Sequence, residues 1–163
     1  MVGLAQHRGG WIITLTFVAA LAFTIIPLPD SIEMLRPEWI VMVLIYWCMA
    51  LPDRIGVGVA WLVGLMLDVV RDVLLGQYAL GLAIIAFLIL HLHQRIRVFP
   101  LWQQGVFVSL LIIIEYMIAF WIKGITGETP GFWFMMLPAL TTLFVWPPTY
   151  LLMRHIRRRY QVT

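Results

Sequence analysis

Six stretches of apolar residues, separated by short polar segments, fill most of the chain. They cover residues 11–28, 39–51, 57–75, 78–92, 101–122 and 132–153. A helix needs about 20 apolar residues to cross the hydrocarbon core of a bilayer, so the pattern predicts an all-α membrane protein with six transmembrane helices in a single domain. At 1.5 Å per residue the second stretch covers only about 20 Å, which is short for a membrane span. A re-entrant segment is therefore the alternative there.

Composition supports lipid as the solvent of this chain. Apolar residues make up 63% of the 163 residues and charged residues only 12%, with a mean hydropathy of +0.96. Soluble domains carry about 25% charged residues, and a chain this short must expose much of its surface. A soluble fold is thereby excluded.

The distribution of charge predicts the orientation. With six spans, the N-terminus, the turn at 52–56, the loop at 93–100 and the tail share one side. That side holds eight of the eleven basic residues, namely Arg8, Arg54, Arg95, Arg97, Arg154, Arg157, Arg158 and Arg159. Cytoplasmic segments carry the excess of Lys and Arg. We therefore expect both termini in the cytosol, with the protein in the bacterial inner membrane.

Small and acidic residues recur every four positions through the third stretch. The series is Gly56, Ala60, Gly64, Asp68, Asp72 and Gly76. Residues four apart are neighbours on a helix, and small residues let two membrane helices approach closely. The series predicts either a packing groove inside the protein or a face that receives a partner's helix. Such faces also mediate self-association, so a homodimer is a further alternative.

Two carboxylates, Asp68 and Glu115, lie within apolar stretches, both in the half of the membrane away from the cytosol. A carboxylate in the bilayer is costly and faces protein, a cavity or a basic partner. Two interpretations remain open from the residues alone. The acids are tethers that pair with Arg36 or Arg71 or hold a helix end, or they line an outward-facing polar pocket.

The second stretch has the features of a helix that begins at a membrane surface. Pro37 suits a first helical turn because its missing N–H is not needed there. Arg36, Trp39, Tyr46 and Trp47 are of the types that anchor helices at the membrane–water interface. We expect these five residues to be interfacial.

The basic tail predicts contact with anionic lipid. Arg154, Arg157, Arg158 and Arg159 follow the last apolar stretch directly, where long cationic side chains reach the headgroups. Docking of a cytoplasmic protein is the alternative. Nucleic acid is not expected as a partner, because the basic patch is short and lies against the membrane.

The sequence contains no motif for catalysis, a cofactor or a metal. It has no HExxH zinc pattern, no phosphate-binding glycine loop and no GxSxG turn. We therefore expect a protein that is not an enzyme.

The polar and aromatic positions of the second and third stretches form a specific pattern. They include Arg36-Pro37-Glu38-Trp39, Tyr46-Trp47, Ala50-Leu51-Pro52, Arg54, Val57-Gly58, Gly64 and Leu67-Asp68. This pattern closely resembles the MreD family of rod shape-determining membrane proteins of rod-shaped proteobacteria. The likeness continues through Leu75-Gly76, Ala79-Leu80, Leu101-Trp102-Gln103-Gln104, Trp146-Pro147 and Leu152-Met153-Arg154.

The resemblance implies a non-enzymatic scaffold of the cell-elongation machinery. Members of that family bind MreC, a single-span protein with a periplasmic coiled coil. Through MreC they associate with the MreB cytoskeleton and with a RodA-type glycosyltransferase and its transpeptidase, which make peptidoglycan. The implied fold resembles the six-helix substrate-binding subunit of energy-coupling-factor transporters.

These implications lead to one expected docking surface and leave one alternative function. The face around Gly64 and the interfacial residues of the second stretch are expected to offer lipid-exposed docking for the MreC helix. The alternative function is a binder or carrier of a small molecule or lipid intermediate, with Asp68 and Glu115 in an outward-facing pocket.

Overall fold

The computed structural model describes residues 9–127 and 131–162. Across these residues the chain forms seven helices and no strand, which confirms the all-α prediction. In chain order the helices are α1 Gly10–Ile25, α2 Asp30–Glu33, α3 Trp39–Ala50, α4 Val57–Val70, α5 Gln77–Ile96, α6 Leu101–Thr126 and α7 Phe132–Arg159. Six of them lie within or across the six apolar stretches, and α2 is a single additional turn.

The helices fall into two classes by length. Three are long and apolar enough to cross a membrane: α5, α6 and residues Met136–Arg159 of α7. The other apolar helices, α1, α3 and α4, are shorter. Large apolar side chains such as Trp121 and Phe144 are more than 70% exposed, as lipid-facing residues are.

Helix α3 lies at the centre of the fold. It packs against α1, α5, α6 and α7, and every residue from Ile40 to Met49 is buried. The expectation that Tyr46 and Trp47 offer a lipid-exposed docking surface is therefore wrong. Neighbouring helices surround α3 on all sides, so its side chains meet protein instead of lipid, and Trp47 Nε1 donates a hydrogen bond to Thr16 Oγ1 at 2.9 Å.

Helix α4 is shorter than the third apolar stretch, from which it forms. It ends at Val70 instead of residue 75, because Asp72 and Gly76 adopt positive φ values of 50° and 102°. A helix cannot pass through left-handed residues, so the chain turns there and α5 begins at Gln77. The four-residue series of small and acidic residues therefore does not form one helix face, and Gly76 lies outside α4.

The face of α4 that carries Ala60 and Gly64 is closed by α5. Both residues are buried, and a β-carbon at Gly64 would lie 2.3 Å from Ala79 Cα and 2.7 Å from its backbone nitrogen. The backbones of the two helices thus touch at Gly64. The expectation of lipid-exposed docking on this face is wrong, because a helix of the same chain occupies it. Gly56, the residue before α4, has no atom within 4 Å of its β-carbon position.

Candidate functional site

A buried polar cluster joins four helices at one end of the fold. Arg71 Nη2 donates to Glu38 Oε2 at 2.8 Å, and Arg71 Nη1 donates to the hydroxyl of Tyr78 at 2.8 Å. The hydroxyl of Tyr116 donates to Glu38 Oε1. Glu38 is only 4% exposed, so this carboxylate is held entirely by protein groups.

The positions of Glu38 and Arg71 follow from the ends of their helices. Glu38 immediately precedes α3, and its backbone N–H donates to Thr142 Oγ1 of α7 at 3.3 Å. Arg71 immediately follows α4. Anions are stabilised at helix N-termini and cations at C-termini, so each charge lies at the end that favours it. The ion pair therefore links the start of α3 to the end of α4.

Asp68 holds the start of α5. Its side chain accepts hydrogen bonds from the backbone N–H groups of Gly76 at 2.8 Å, Tyr78 at 2.7 Å and Ala79 at 3.4 Å. The first N–H groups of a helix lack acceptors within it. The carboxylate of Asp68, on the neighbouring helix, accepts their hydrogen bonds. Holding a helix end is one of the alternatives that the sequence leaves open for this acid. It also explains why α4 and α5 form a tight hairpin.

Glu115 is buried without a polar contact. It is 1% exposed, and neither side-chain oxygen has a hydrogen-bond partner among the described residues. Its Cγ packs over Gly81, where a β-carbon would lie 2.9 Å away. Within the described residues no group of three His, Cys, Asp or Glu side chains is arranged to hold a metal ion.

A cavity of about 740 Å³ opens beside the polar cluster. Charges of both signs line it, from Asp30, Glu33, Arg36, Glu38, Arg71 and Lys123, and we call it the mixed-charge cavity. Neither Asp68 nor Glu115 is among its lining residues. Of the three acids that line it, Glu38 is the buried one. The apolar pattern does not mark this acid because it lies at the edge of an apolar stretch instead of inside one.

Arg36 closes the end of α1 at the rim of this cavity. It donates to the carbonyl oxygens of Thr24 and of Ile26, the latter at 2.6 Å, and lies 3.6 Å from Glu33. Pro37 follows it and is half-buried. Trp39 is half-buried and packs on Phe23, with 5.5 Å between ring centroids.

Four arginines are among the residues that line a second cavity, of about 790 Å³. Arg97, which follows α5, and Arg154, Arg157 and Arg158 of α7 surround it, with Tyr46 and Tyr150 among its lining residues. We call it the arginine cavity. Of the four predicted tail arginines the structure brings three together here, while Arg159 is exposed and does not line it.

An apolar groove runs between α1 and α4. It has a volume of about 580 Å³ and ends at the turn that contains Arg54. Its walls are Ile13, Phe17, Val18 and Leu21 of α1 and Val59, Val63 and Met66 of α4. Helix α1 packs chiefly on α3, and α4 chiefly on α5, so the space between them is not filled by another helix of the described chain.

Comparison with known proteins identifies the family. The family described as rod shape-determining protein MreD matches residues 6–156, which include all seven helices except the end of α7. The chain belongs to the MreD family. A curated relative of this MreD chain, the rod shape-determining protein MreD of Haemophilus influenzae, is 32% identical over 146 residues, covering 90% of each chain. No solved structure matches it.

Membership of the family establishes the general role. MreD proteins determine rod shape, so this MreD chain takes part in maintaining cell shape. Its apolar helices make it a membrane protein. The buried polar cluster, the two cavities and the groove are the features through which that role can be examined.

Proposed function

We propose that the chain crosses the bacterial inner membrane six times, with both termini in the cytosol. The separation of charge supports this. Four of the arginines counted on the cytosolic side, Arg97, Arg154, Arg157 and Arg158, line the arginine cavity. The three basic residues counted on the other side, Arg36, Arg71 and Lys123, line the mixed-charge cavity together with acids. Arg8 lies outside the described residues. Excess positive charge stays in the cytosol.

The short α3 is compatible with six spans. Its 12 residues rise only about 18 Å, less than the hydrocarbon thickness. A helix that contacts lipid must match that thickness, but α3 is enclosed by its neighbours. The non-helical residues on either side of α3 can therefore lie at membrane depth, because protein surrounds them. We also propose that the six helices are arranged like those of the substrate-binding subunit of energy-coupling-factor transporters.

Reporter fusions test the orientation. Green fluorescent protein, which fluoresces in the cytosol, should be bright when fused after Val162, and alkaline phosphatase fused there should be inactive. After truncation at Thr126, the two reporters should exchange results. Phosphatase activity at residue 162 would contradict both the number of spans and their direction.

We propose that the chain acts as a non-enzymatic scaffold of the cell-elongation complex by binding the single membrane span of MreC. The observation that carries this proposal is the apolar α1–α4 groove. The ends of both helices, at Ile25 and Val70, line the mixed-charge cavity, so α1 and α4 run parallel. From Gly10 to Leu21 the α1 wall is about 16 Å long, enough to cover three turns of a partner helix.

Lipid does not drive helices together by hydrophobicity, so membrane helices associate through close van der Waals contact. A helix lying in this groove would make such contact with α1 on one of its sides and with α4 on the other. Through MreC, we infer association with a RodA-type glycosyltransferase and its transpeptidase, and with MreB on the cytosolic side. Rod-shape maintenance would then follow from holding these proteins together.

Tryptophan substitution inside and outside the groove tests this docking. Met66, on the groove wall, and Leu62, one turn earlier on α4 but outside the groove, are 59% and 57% exposed. Met66→Trp should fill the groove and reduce MreC co-purified from membranes by about fivefold, equivalent to roughly 1 kcal/mol. Leu62→Trp, the matched control, should change the yield by less than about twofold.

The same experiment separates docking from folding and from self-association. Both variants should elute as monodisperse protein at wild-type yield, because both positions face outward. Equal MreC recovery with the two variants would exclude the groove as the interface. Loss of a homodimer, with MreC recovery unchanged, would assign the groove to a second copy of this chain.

The mixed-charge cavity favours a second candidate function, the binding of a small molecule or lipid intermediate. Its volume of about 740 Å³ falls in the range of ligand sites, roughly 300–1,000 Å³. Cationic groups from Arg36, Arg71 and Lys123 converge there, and they suit a ligand with anionic groups. The double variant Glu38→Gln with Arg71→Met, which removes both charges of the buried ion pair, tests this function.

A further inference from the structure

We propose that the arginine cavity binds the phosphate group of an anionic phospholipid from the cytosolic leaflet. Four guanidinium groups line one space of about 790 Å³, and none of its lining residues is acidic. Within the described residues the ion pairs are Arg36–Glu33 and Arg71–Glu38, both elsewhere. Four like charges in one cavity repel each other unless an anion is bound between them.

The arginines come from separate parts of the chain that the fold brings together. Arg154, Arg157 and Arg158 are spaced by three and four residues on α7, so they share one helix face. Arg97 reaches the cavity from the end of α5 and donates to the carbonyl oxygens of Met49 and of Ala50, the latter at 3.1 Å. This contact closes the C-terminus of α3 and fixes Arg97 in the cavity wall.

The inner wall of the cavity is aromatic and apolar. Tyr46 and Tyr150 line it with 5.5 Å between ring centroids, and Tyr46 is only 3% exposed. Phenolic hydroxyls donate hydrogen bonds, and guanidinium groups bind phosphate oxygens in bidentate geometry. The cavity therefore combines cationic donors at its mouth with hydroxyl donors deeper inside.

The surroundings favour a lipid over a free anion as the source of the phosphate. Leu151 and Leu152, which flank this part of α7, are 52% and 60% exposed, as for side chains in contact with acyl chains. Trp11 and Tyr160 stack edge to face with 5.8 Å between centroids, and both are exposed. Exposed tryptophan and tyrosine mark the headgroup level of a bilayer, so the cavity opens where lipid phosphates lie.

The proposal differs from general attraction of a basic tail to an anionic surface, and charge-matched variants distinguish the two. The test variant is Arg154→Gln with Arg157→Gln, which removes two charges from the cavity. The control is Arg95→Gln with Arg159→Gln, which removes two charges from the same end. Arg95 and Arg159 are exposed, and neither lines the cavity.

The experiment uses the full chain purified in an uncharged detergent and counts bound lipid by native mass spectrometry. The probe is dioleoyl phosphatidylglycerol, compared with the phosphatidylethanolamine of the same acyl chains. We expect one phosphatidylglycerol bound in preference to phosphatidylethanolamine. The cavity variant should lose affinity by on the order of tenfold, and the control by less than about twofold.

Several outcomes would overturn the proposal. Equal losses in the two double variants would leave only diffuse attraction, and complete displacement by millimolar inorganic phosphate would remove the lipid as the source. Capture of an acidic peptide without any lipid preference would assign the cavity to a protein partner. Because Arg154 is exposed, Arg154→Gln alone keeps the test usable if the double variant unfolds, with an expected loss of about threefold to fivefold.

Discussion

Replacing Gly64 by alanine is expected to lower the free energy of unfolding by about 3 kcal/mol. The added β-carbon would lie 2.3 Å from Ala79 Cα, 2.7 Å from Ala79 N and 2.9 Å from the carbonyl oxygen of Tyr78. All three atoms belong to the backbone, so no side chain can rotate away to relieve the overlap. The two helices must separate, and the hydrogen bonds from α5 to Asp68 would be strained with them.

Gly58→Ala is the matched control on the same helix. No atom lies within 4 Å of a β-carbon at Gly58, and alanine favours helix over glycine by about 1 kcal/mol. Unfolding in mixed micelles, with dodecyl sulfate as the denaturant, should show a large loss for Gly64→Ala and no loss for Gly58→Ala. Similar stability of the two variants would contradict the close approach of α4 and α5.

The burial of Gly64 between α4 and α5 changes how assays of MreC binding by Gly64 variants are interpreted. A Gly64 variant that loses MreC would report a damaged hairpin and not a damaged interface, because Gly64 lies inside the protein. Met66 and Leu62 face outward on the same helix and are the better probes of docking.

Some of the fold could be predicted from the apolar pattern and some could not. The pattern found all six apolar helices because hydrophobic length is a local property. It could not tell that Tyr46 and Trp47 face protein, since a helix at the centre of a bundle and a helix at a membrane surface can carry the same residue types. The difference depends on the packing of α1, α5, α6 and α7 around α3.

The end of α4 shows a second reason for the errors. Residues 71–75 continue the apolar stretch, but Asp68 accepts hydrogen bonds from the start of α5 and the chain reverses at Asp72. A carboxylate within an apolar stretch indicates a buried polar contact without naming the partner. For Asp68 the partners were backbone N–H groups, which no charge count can reveal.

The candidate site shows a third reason. In the sequence Glu38 stands out only as part of the Arg36-Pro37-Glu38-Trp39 motif. In the fold it binds Arg71 and Tyr116 and lines the mixed-charge cavity. Its signal in the sequence is an acid directly before a helix that later proves to be central. Recognising that signal requires knowing which helix is enclosed, so it becomes available only with the fold.

Removing Arg71 is expected to destabilise the protein by about 3–5 kcal/mol, because a buried charge loses its partner. In Arg71→Ala the Glu38 carboxylate keeps only the Tyr116 hydroxyl, and the hydroxyl of Tyr78 loses its donor. Glu33→Gln is the control, since Glu33 is 56% exposed and 3.6 Å from Arg36. Such exposed pairs contribute at most about 1 kcal/mol, so a loss in Arg71→Ala no larger than in the control would contradict the buried pair.

The double variant Glu38→Gln with Arg71→Met separates stability from ligand binding. It removes both charges together, and replacing a whole buried ion pair by neutral groups is often close to neutral in stability. We therefore expect it to unfold near the wild-type denaturant concentration and to recover MreC normally, because neither residue lines the α1–α4 groove. If the mixed-charge cavity holds an anionic compound, extraction and mass spectrometry should find it in the wild type and in Arg95→Gln, which lies outside the cavity, but not in the double variant. A compound retained by the double variant would exclude this ion pair from ligand binding, and a wild type without any compound would leave the scaffold as the sole function of the two proposed.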